Sequence, residues 1–154
     1  MIRIGVVGYG YWGPNLVRNF GETYGASVVA VADLDRSKLA LLARRYPAIK
    51  LTTDFTELLS DPNIDAIAVA TPVHTHYELG LAALRAGKHL WMEKPMTQTV
   101  AQAKRLVDEA ARRRLTLLVD HTFIYTGAVA KMGDLIRSGD LGCILYYDSV
   151  RVNL

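Results

Sequence analysis

Ile2-Arg3-Ile4-Gly5-Val6-Val7-Gly8-Tyr9-Gly10-Tyr11-Trp12-Gly13-Pro14 opens the chain. Its first six residues form the apolar run that a buried strand needs, and glycines end it. Pro14 suits a first helical turn, where its missing N–H is no loss, so a helix over 14–20 follows the turn. Set between strand and helix, Gly8-x-Gly10-x-x-Gly13 gives each glycine a task. Gly8 allows the tight turn, Gly10 lets backbone approach a pyrophosphate, and Gly13 lets the helix pack close to the strand. The helix N-terminus adds N–H groups and a partial positive charge for phosphates. The bland alternative is a glycine-rich turn with no ligand.

Outward from this stretch, strand and helix alternate. Further strands are expected at 27–32, 50–52, 66–70, 89–92 and 115–119. A helix with Leu39, Leu42, Ala43 and Tyr46 on one stripe follows the second strand, capped by Asp35 and ended by Pro47. Asp54-x-x-Glu57, Thr75-x-x-Glu78 and Thr99-x-x-Gln102 are read as capping-box starts of three more helices. The last of these is expected to bury Val100, Ala103, Val107, Ala110 and Ala111, with Arg112, Arg113 and Arg114 solvated at its end. A helix over 128–138 precedes the turn Gly139-Asp140-Leu141-Gly142. The strands are continuously apolar, the mark of a parallel sheet covered on both faces. With right-handed crossovers this gives a doubly wound α/β sheet in three layers, α/β/α. Residues 143–153 form a last extended run outside that pattern.

Composition narrows the function. The chain has 154 residues, 51% hydrophobic and 21% charged, an ordinary globular balance with ample core. Eighteen Lys and Arg against fifteen Asp and Glu leave a net charge of +3, and no basic stripe carries stacking aromatics, so nucleic acid is not an expected partner. The single cysteine, Cys143, can make neither an internal disulfide nor a cysteine-rich metal site. No apolar stretch approaches the ~20 residues that span a bilayer. No basic region precedes an apolar signal segment, so a cytoplasmic protein is expected.

Asp33 ends the second strand twenty residues after Gly13. A carboxylate there accepts hydrogen bonds from ribose hydroxyls and repels a 2′-phosphate, which favours NAD over NADP. Arg36 complicates this, since a nearby Arg can serve the phosphate; otherwise it is a solvent-facing helix residue, and Asp33 a turn residue. In the order 3-2-1-4-5-6, Thr71-Pro72 lies across the switch-point crevice from the glycine turn. His74 and His76 diverge at a helix start and have no third ligand, so no metal is expected; His76 is read as a supporting residue at the helix start. Glu93-Lys94-Pro95 closes the fifth strand on the same edge. Lys94 there can bond a substrate hydroxyl and help move its proton as hydride leaves the carbon, or be a surface lysine.

Gly8-Tyr9-Gly10-Tyr11-Trp12-Gly13, Asp33, Ala70-Thr71-Pro72-x-x-x-His76, Gly87-Lys88-His89, Glu93-Lys94-Pro95 and Ser138-Gly139-Asp140-Leu141-Gly142, in this order, resemble the glucose–fructose oxidoreductase / inositol dehydrogenase (Gfo/Idh/MocA) family. Glu-Lys-Pro is the specific part. Gly10-Tyr11-Trp12-Gly13-Pro14-Asn15 and Asp120-His121-Thr122-Phe123 look most like members acting on nucleotide-linked or amino sugars.

The resemblance implies a Rossmann domain and an NAD(P)-dependent oxidation or reduction at a sugar, polyol or nucleotide-sugar carbon. It implies cofactor contacts at Gly8, Gly10, Tyr11, Trp12, Gly13, Asp33, Thr71, Pro72, His76, Glu93, Lys94 and His121, with Lys94 catalytic. It also implies a non-catalytic alternative, a module that senses NAD or a sugar; an intact Lys94 favours the enzyme. Family members are about twice as long. Residues 1–142 are accordingly expected to form the NAD(P)-binding domain, and 143–154 the first strand of a C-terminal substrate domain that is not in this sequence. That domain would complete the active site and supply the interface of a homo-oligomer, so the 154 residues alone are expected to be inactive.

Overall fold

β1 (Ile2–Val7) lies at the centre of six parallel strands. The others are β2 (Ala26–Ala32), β3 (Lys50–Thr52), β4 (Ala66–Val69), β5 (His89–Met92) and β6 (Leu117–Val119), in the spatial order β3-β2-β1-β4-β5-β6. Every neighbouring pair is parallel, so all carboxyl ends share one edge, and the chain reverses its winding between β1 and β4. Helices α1 (Gly13–Glu22), α2 (Arg36–Arg45), α3 (Phe55–Ser60), α4 (Val73–Arg85) and α5 (Val100–Arg113) make the crossovers. This computed structural model describes residues 1–150 and 152.

Alternation along the strands divides the core into two faces. Ile4, Val6, Val31 and Ala68 pack with Leu16 and Val17 of α1 and Leu39 and Leu42 of α2. Val7, Ile67, Val69, Leu90 and Met92 pack with Leu58 of α3, Leu84 of α4 and Leu106 of α5. The result is the doubly wound, three-layer sheet that the alternating pattern demands. Side chains as deeply buried as Leu42 and Ile67, both fully enclosed, each stabilise the fold by roughly 1.5–3 kcal/mol. Arg3 ties β1 to the segment before β4. Its guanidinium donates to both Asp65 carboxylate oxygens, at 3.0 and 2.7 Å, and its backbone N–H to Asp65 Oδ2 at 2.8 Å. Buried Lys88 closes the α3–β4 connection, donating through Nζ to the carbonyls of Asp61 and Ile64 at 2.6 and 2.7 Å.

Local signals held at some termini and failed at others. Asp35, Asp54 and Thr99 cap α2, α3 and α5 through side-chain oxygens. At α3 the reciprocal half of the capping box does not form, because Glu57 accepts the Thr52 hydroxyl at 2.5 Å and pairs with Lys50 at 3.0 Å. α4 starts at Val73, two residues before the expected Thr75, with Pro72 as its N-cap. The α5 stripe is rotated: Leu106 and Ala110 are buried, whereas Val100 is 72% and Val107 51% exposed. Leu106, outside the expected stripe, joins Leu90 and Met92 of the sheet in the buried cluster. β6 is three residues long rather than five. Of the arginine triplet, Arg112 and Arg113 both pair with Glu109, whose carboxyl they hold down at about 2.

Two compact units make up the chain, Met1–Asp120 and His121–Leu154. The second unit contains a 3-10 turn, Thr122–Tyr125, and α6 (Gly127–Ser138); the turn was not foreseen. The described part of 143–153, namely 143–150 and Val152, forms no strand. The expected extended run has no ladder there, and Arg151, Asn153 and Leu154 lie outside the described residues. Among the described residues no helix is long and apolar enough to cross a membrane.

Candidate functional site

The turn after β1 shows why two of its glycines are glycines. Gly8 has φ +94°, and a Cβ on it would stand 2.7 Å from the Ala70 carbonyl oxygen. A Cβ on Gly13 would stand 2.5 Å from the Gly8 carbonyl oxygen. Both contacts are to backbone and cannot yield, so the fold itself requires these residues. At Gly10, by contrast, no atom lies within 4 Å of an added Cβ. Among the described residues nothing packs where a Cβ at Gly10 would stand. Trp12 provides no side-chain cap for α1, so the first-turn N–H groups lack the usual side-chain acceptor.

Asp33 closes the turn from the side. Its Oδ2 accepts the Tyr9 backbone N–H at 2.6 Å and its Oδ1 the Asp35 N–H at 2.8 Å. A carboxylate offers about four acceptor positions, so Asp33 retains capacity for two hydroxyl donors. The facing loop is also fixed. Thr75 donates its hydroxyl to the Pro72 carbonyl at 2.8 Å and so accepts from the Thr71 hydroxyl at 2.6 Å.

Between these loops runs a cleft of about 660 Å³. Gly8, Gly10, Tyr11 and Trp12 form one wall, with the two aromatic rings packed edge-to-face at 5.1 Å. Thr71, Pro72, His74 and Thr75 form the other. Asp33, Leu34 and Lys38 close one end beside Thr53 and Phe55, and Leu79 contributes from α4. Seven of the expected contact residues thus meet in one place: Gly8, Gly10, Tyr11, Trp12, Asp33, Thr71 and Pro72. Lys38, Thr53, Phe55 and His74 were not foreseen as lining. Thr53 and Phe55 follow the carboxyl end of β3, on the edge where all strand ends of this fold gather, and could have been found by that rule. Arg36 instead lines an adjoining depression of about 430 Å³ with Leu39, Ala43 and Thr52, which shares Thr53 with the cleft.

The remaining expected residues lie outside the lining. Gly13 stands beneath the turn at the start of α1. Glu93 is buried, and its carboxylate accepts the Lys94 backbone N–H at 3.0 Å. Burial, and then the neighbouring Asp120 carboxylate, push the Glu93 carboxyl above its ordinary range. Lys94 is exposed at the carboxyl end of β5. His76 is 1% exposed, with its ring held between two backbone carbonyls. His121 belongs to the second unit, where its carbonyl accepts the Ile124 N–H at 3.0 Å.

A six-stranded parallel sheet with this glycine turn and this acid defines a dinucleotide-binding α/β domain. Residues 2–121 match the GFO_IDH_MocA family, described as an oxidoreductase family with an NAD-binding Rossmann fold. The chain belongs to that family. It is 34% identical over 144 residues to inositol 2-dehydrogenase 1 of Saccharopolyspora erythraea, covering 92% of this chain and 43% of that protein. It is 33% identical over 150 residues to a dTDP-3,4-didehydro-2,6-dideoxy-alpha-D-glucose 3-reductase of Saccharopolyspora spinosa, covering 97% and 45%. The crystal structure of an NAD-binding protein from Listeria innocua superposes with a TM-score of 0.82 at 27% identity, over 92% of this chain and 41% of that one. The chain therefore spans less than half the length of each of these relatives.

Proposed function

We propose that the cleft binds NAD(H), and that the chain is the cofactor-binding part of a dehydrogenase acting on a hydroxyl or ketone of a polyol, sugar or nucleotide sugar. The observation that carries the cofactor reading is Gly10. It lines the cleft, and the space that its side chain would fill is open. A ligand pressed against backbone explains a glycine that packing does not.

In this reading the pyrophosphate lies over Gly10 and the N-terminus of α1, Asp33 accepts the ribose hydroxyls, and Thr71-Pro72 forms the facing wall. The Asp33 carboxylate would repel a 2′-phosphate. Arg36 lines the depression that adjoins the cleft at Thr53, and among the described residues Lys38 lines the cleft itself. Bound nicotinamide supplies hydride acceptance or delivery. Lys94 then handles the accompanying proton: in reduction its ammonium donates to the oxygen that becomes hydroxyl, and in oxidation its amine takes that proton back. The substrate class rests on the inositol dehydrogenase and nucleotide-sugar reductase among the relatives.

Calorimetric titration of the chain with NADH and NADPH tests the cofactor. Tighter binding of NADH is expected; tighter NADPH overturns the assignment to Asp33, and binding of neither overturns the cofactor reading. NAD reduction by a dehydrogenase that contains this chain together with a substrate domain, across a panel of polyols, aldoses and nucleotide sugars with 2-hydroxy acids as controls, tests the substrate class. Turnover on the control acids alone overturns it.

A further inference from the structure

His76 is polar, almost completely buried, and outside the cleft lining, yet it touches the Thr71 loop of the cleft and the Lys94-Pro95 segment. It stands in the first turn of α4. Its Nε2 is 2.8 Å from the carbonyl oxygen of Thr71 and its Nδ1 3.0 Å from the carbonyl oxygen of Pro95. Thr71 ends the β4 side and lines the cleft. Pro95 immediately follows Lys94 at the end of β5, the strand paired with β4. One rigid ring therefore bridges the cleft wall to the segment that carries Lys94.

Two features make this more than core packing. Carbonyl oxygens only accept, so each needs a donor; a neutral imidazole donates to one of them and an imidazolium to both. Lys94 also has an exposed side chain, so the protein sets its position through its backbone. That backbone is held on both sides, by the Lys94 N–H to Glu93 Oε2 at 3.0 Å and by His76 at the next carbonyl along.

We propose that His76 is a positioning residue: its ring sets the spacing between the Thr71-Pro72 wall and Lys94, and thereby the fit of the nicotinamide half of the dinucleotide. This rests on the NAD(H) reading above. The adenine half, held by the glycine turn and Asp33 in that reading, does not depend on the bridge.

The test compares NADH with ADP-ribose, which lacks nicotinamide, on the 154-residue chain, for wild type, His76→Gln and His76→Leu, each checked for folding by circular dichroism. The Leu variant donates to neither carbonyl; the Gln variant keeps a donor for one. His76→Leu is expected to weaken NADH about tenfold, as loss of roughly one hydrogen bond does, and ADP-ribose less than about twofold. His76→Gln is expected to fall between, restoring part of the NADH affinity. The backbone amide resonances of Lys94 and Thr71 should move in both variants. If His76→Leu does not fold, His76→Gln decides through its ratio of NADH to ADP-ribose affinity. Equal weakening of both ligands, or unchanged NADH affinity in a folded variant, overturns the proposal. Wild-type chain that binds neither ligand brings down the cofactor reading and this proposal with it, a pattern distinct from variants that match a binding wild type.

Discussion

The backbone N–H of Tyr9 donates to the Asp33 carboxylate at 2.6 Å, so the acid after β2 holds the glycine turn after β1. The same carboxylate receives the Asp35 N–H through its other oxygen. Asp33 is thus a structural acceptor for two loops as well as the expected ribose acceptor.

Asp33→Ala removes both roles. NADH affinity should fall at least about tenfold, the preference over NADPH should shrink, and stability should drop by about 1–2 kcal/mol as two N–H groups lose their acceptor. Asp33→Asn keeps an acceptor oxygen for the turn while removing the charge, so it should lose the preference with a smaller loss of stability. Paired titrations with the two cofactors and urea melts separate these effects.

The three glycines should respond differently. The Cβ of a Gly10→Val side chain meets no atom of the described residues outside its chain neighbours within 4 Å, so stability should stay within about 0.5 kcal/mol while NADH binding disappears. Gly8→Ala and Gly13→Ala collide with backbone carbonyls and should lower the melting temperature even without ligand. Retained NADH binding in a folded Gly10→Val chain would show that nothing approaches that backbone.

Glu93 should make stability depend on pH with an unusual sign. Burial and Asp120 raise its carboxyl in the folded state, so the folded chain binds that proton more tightly than the unfolded one. Below the ordinary glutamate value of about 4.3 no stability is lost. Above it the folded state is penalised increasingly until pH passes the raised value. Glu93→Gln escapes the penalty. It should be relatively more stable against wild type at pH 7 than at pH 4 in urea melts, and the opposite ordering would overturn the assignment.

Asp65 behaves oppositely. Three hydrogen bonds from Arg3 hold its carboxyl well below the usual range. The stability this provides is present above the ordinary aspartate value of about 3.9 and is lost as pH falls through the folded value. Asp65→Asn should therefore melt lower than wild type at neutral pH, with the gap closing on acidification. A gap independent of pH would show that the charge contributes nothing.

Strand order and the glycine turn were legible because each follows from local pattern: continuous apolar runs, crossover handedness, a strand–turn–helix frame. Gly8, Gly10, Asp33, Thr71 and Pro72 follow from that frame, since it fixes which strand ends meet, whereas Tyr11 and Trp12 follow only from the family resemblance. What escaped depends on partners distant in sequence. Glu57 left its capping box for Thr52 and Lys50, a choice that no spacing rule contains. On α5 the buried position is Leu106, which meets Leu90 and Met92 of a strand distant in sequence. His76 reads as one polar residue in a helix start, and its two partners, five and nineteen residues away, become visible only once β4 and β5 are adjacent.

The chain's two tryptophans stand in contrasting surroundings. Trp12 is 44% exposed on the lip of the cleft beside Tyr11. Trp91 lies within β5, half-buried against the core and edge-on to Phe20 at 5.9 Å. The molecule thus carries two built-in fluorophores with separate duties. Emission from Trp91 follows the integrity of the sheet, while emission from Trp12 follows what enters the groove. With Trp91→Phe, the remaining indole becomes a label-free optical gauge of ligand occupancy.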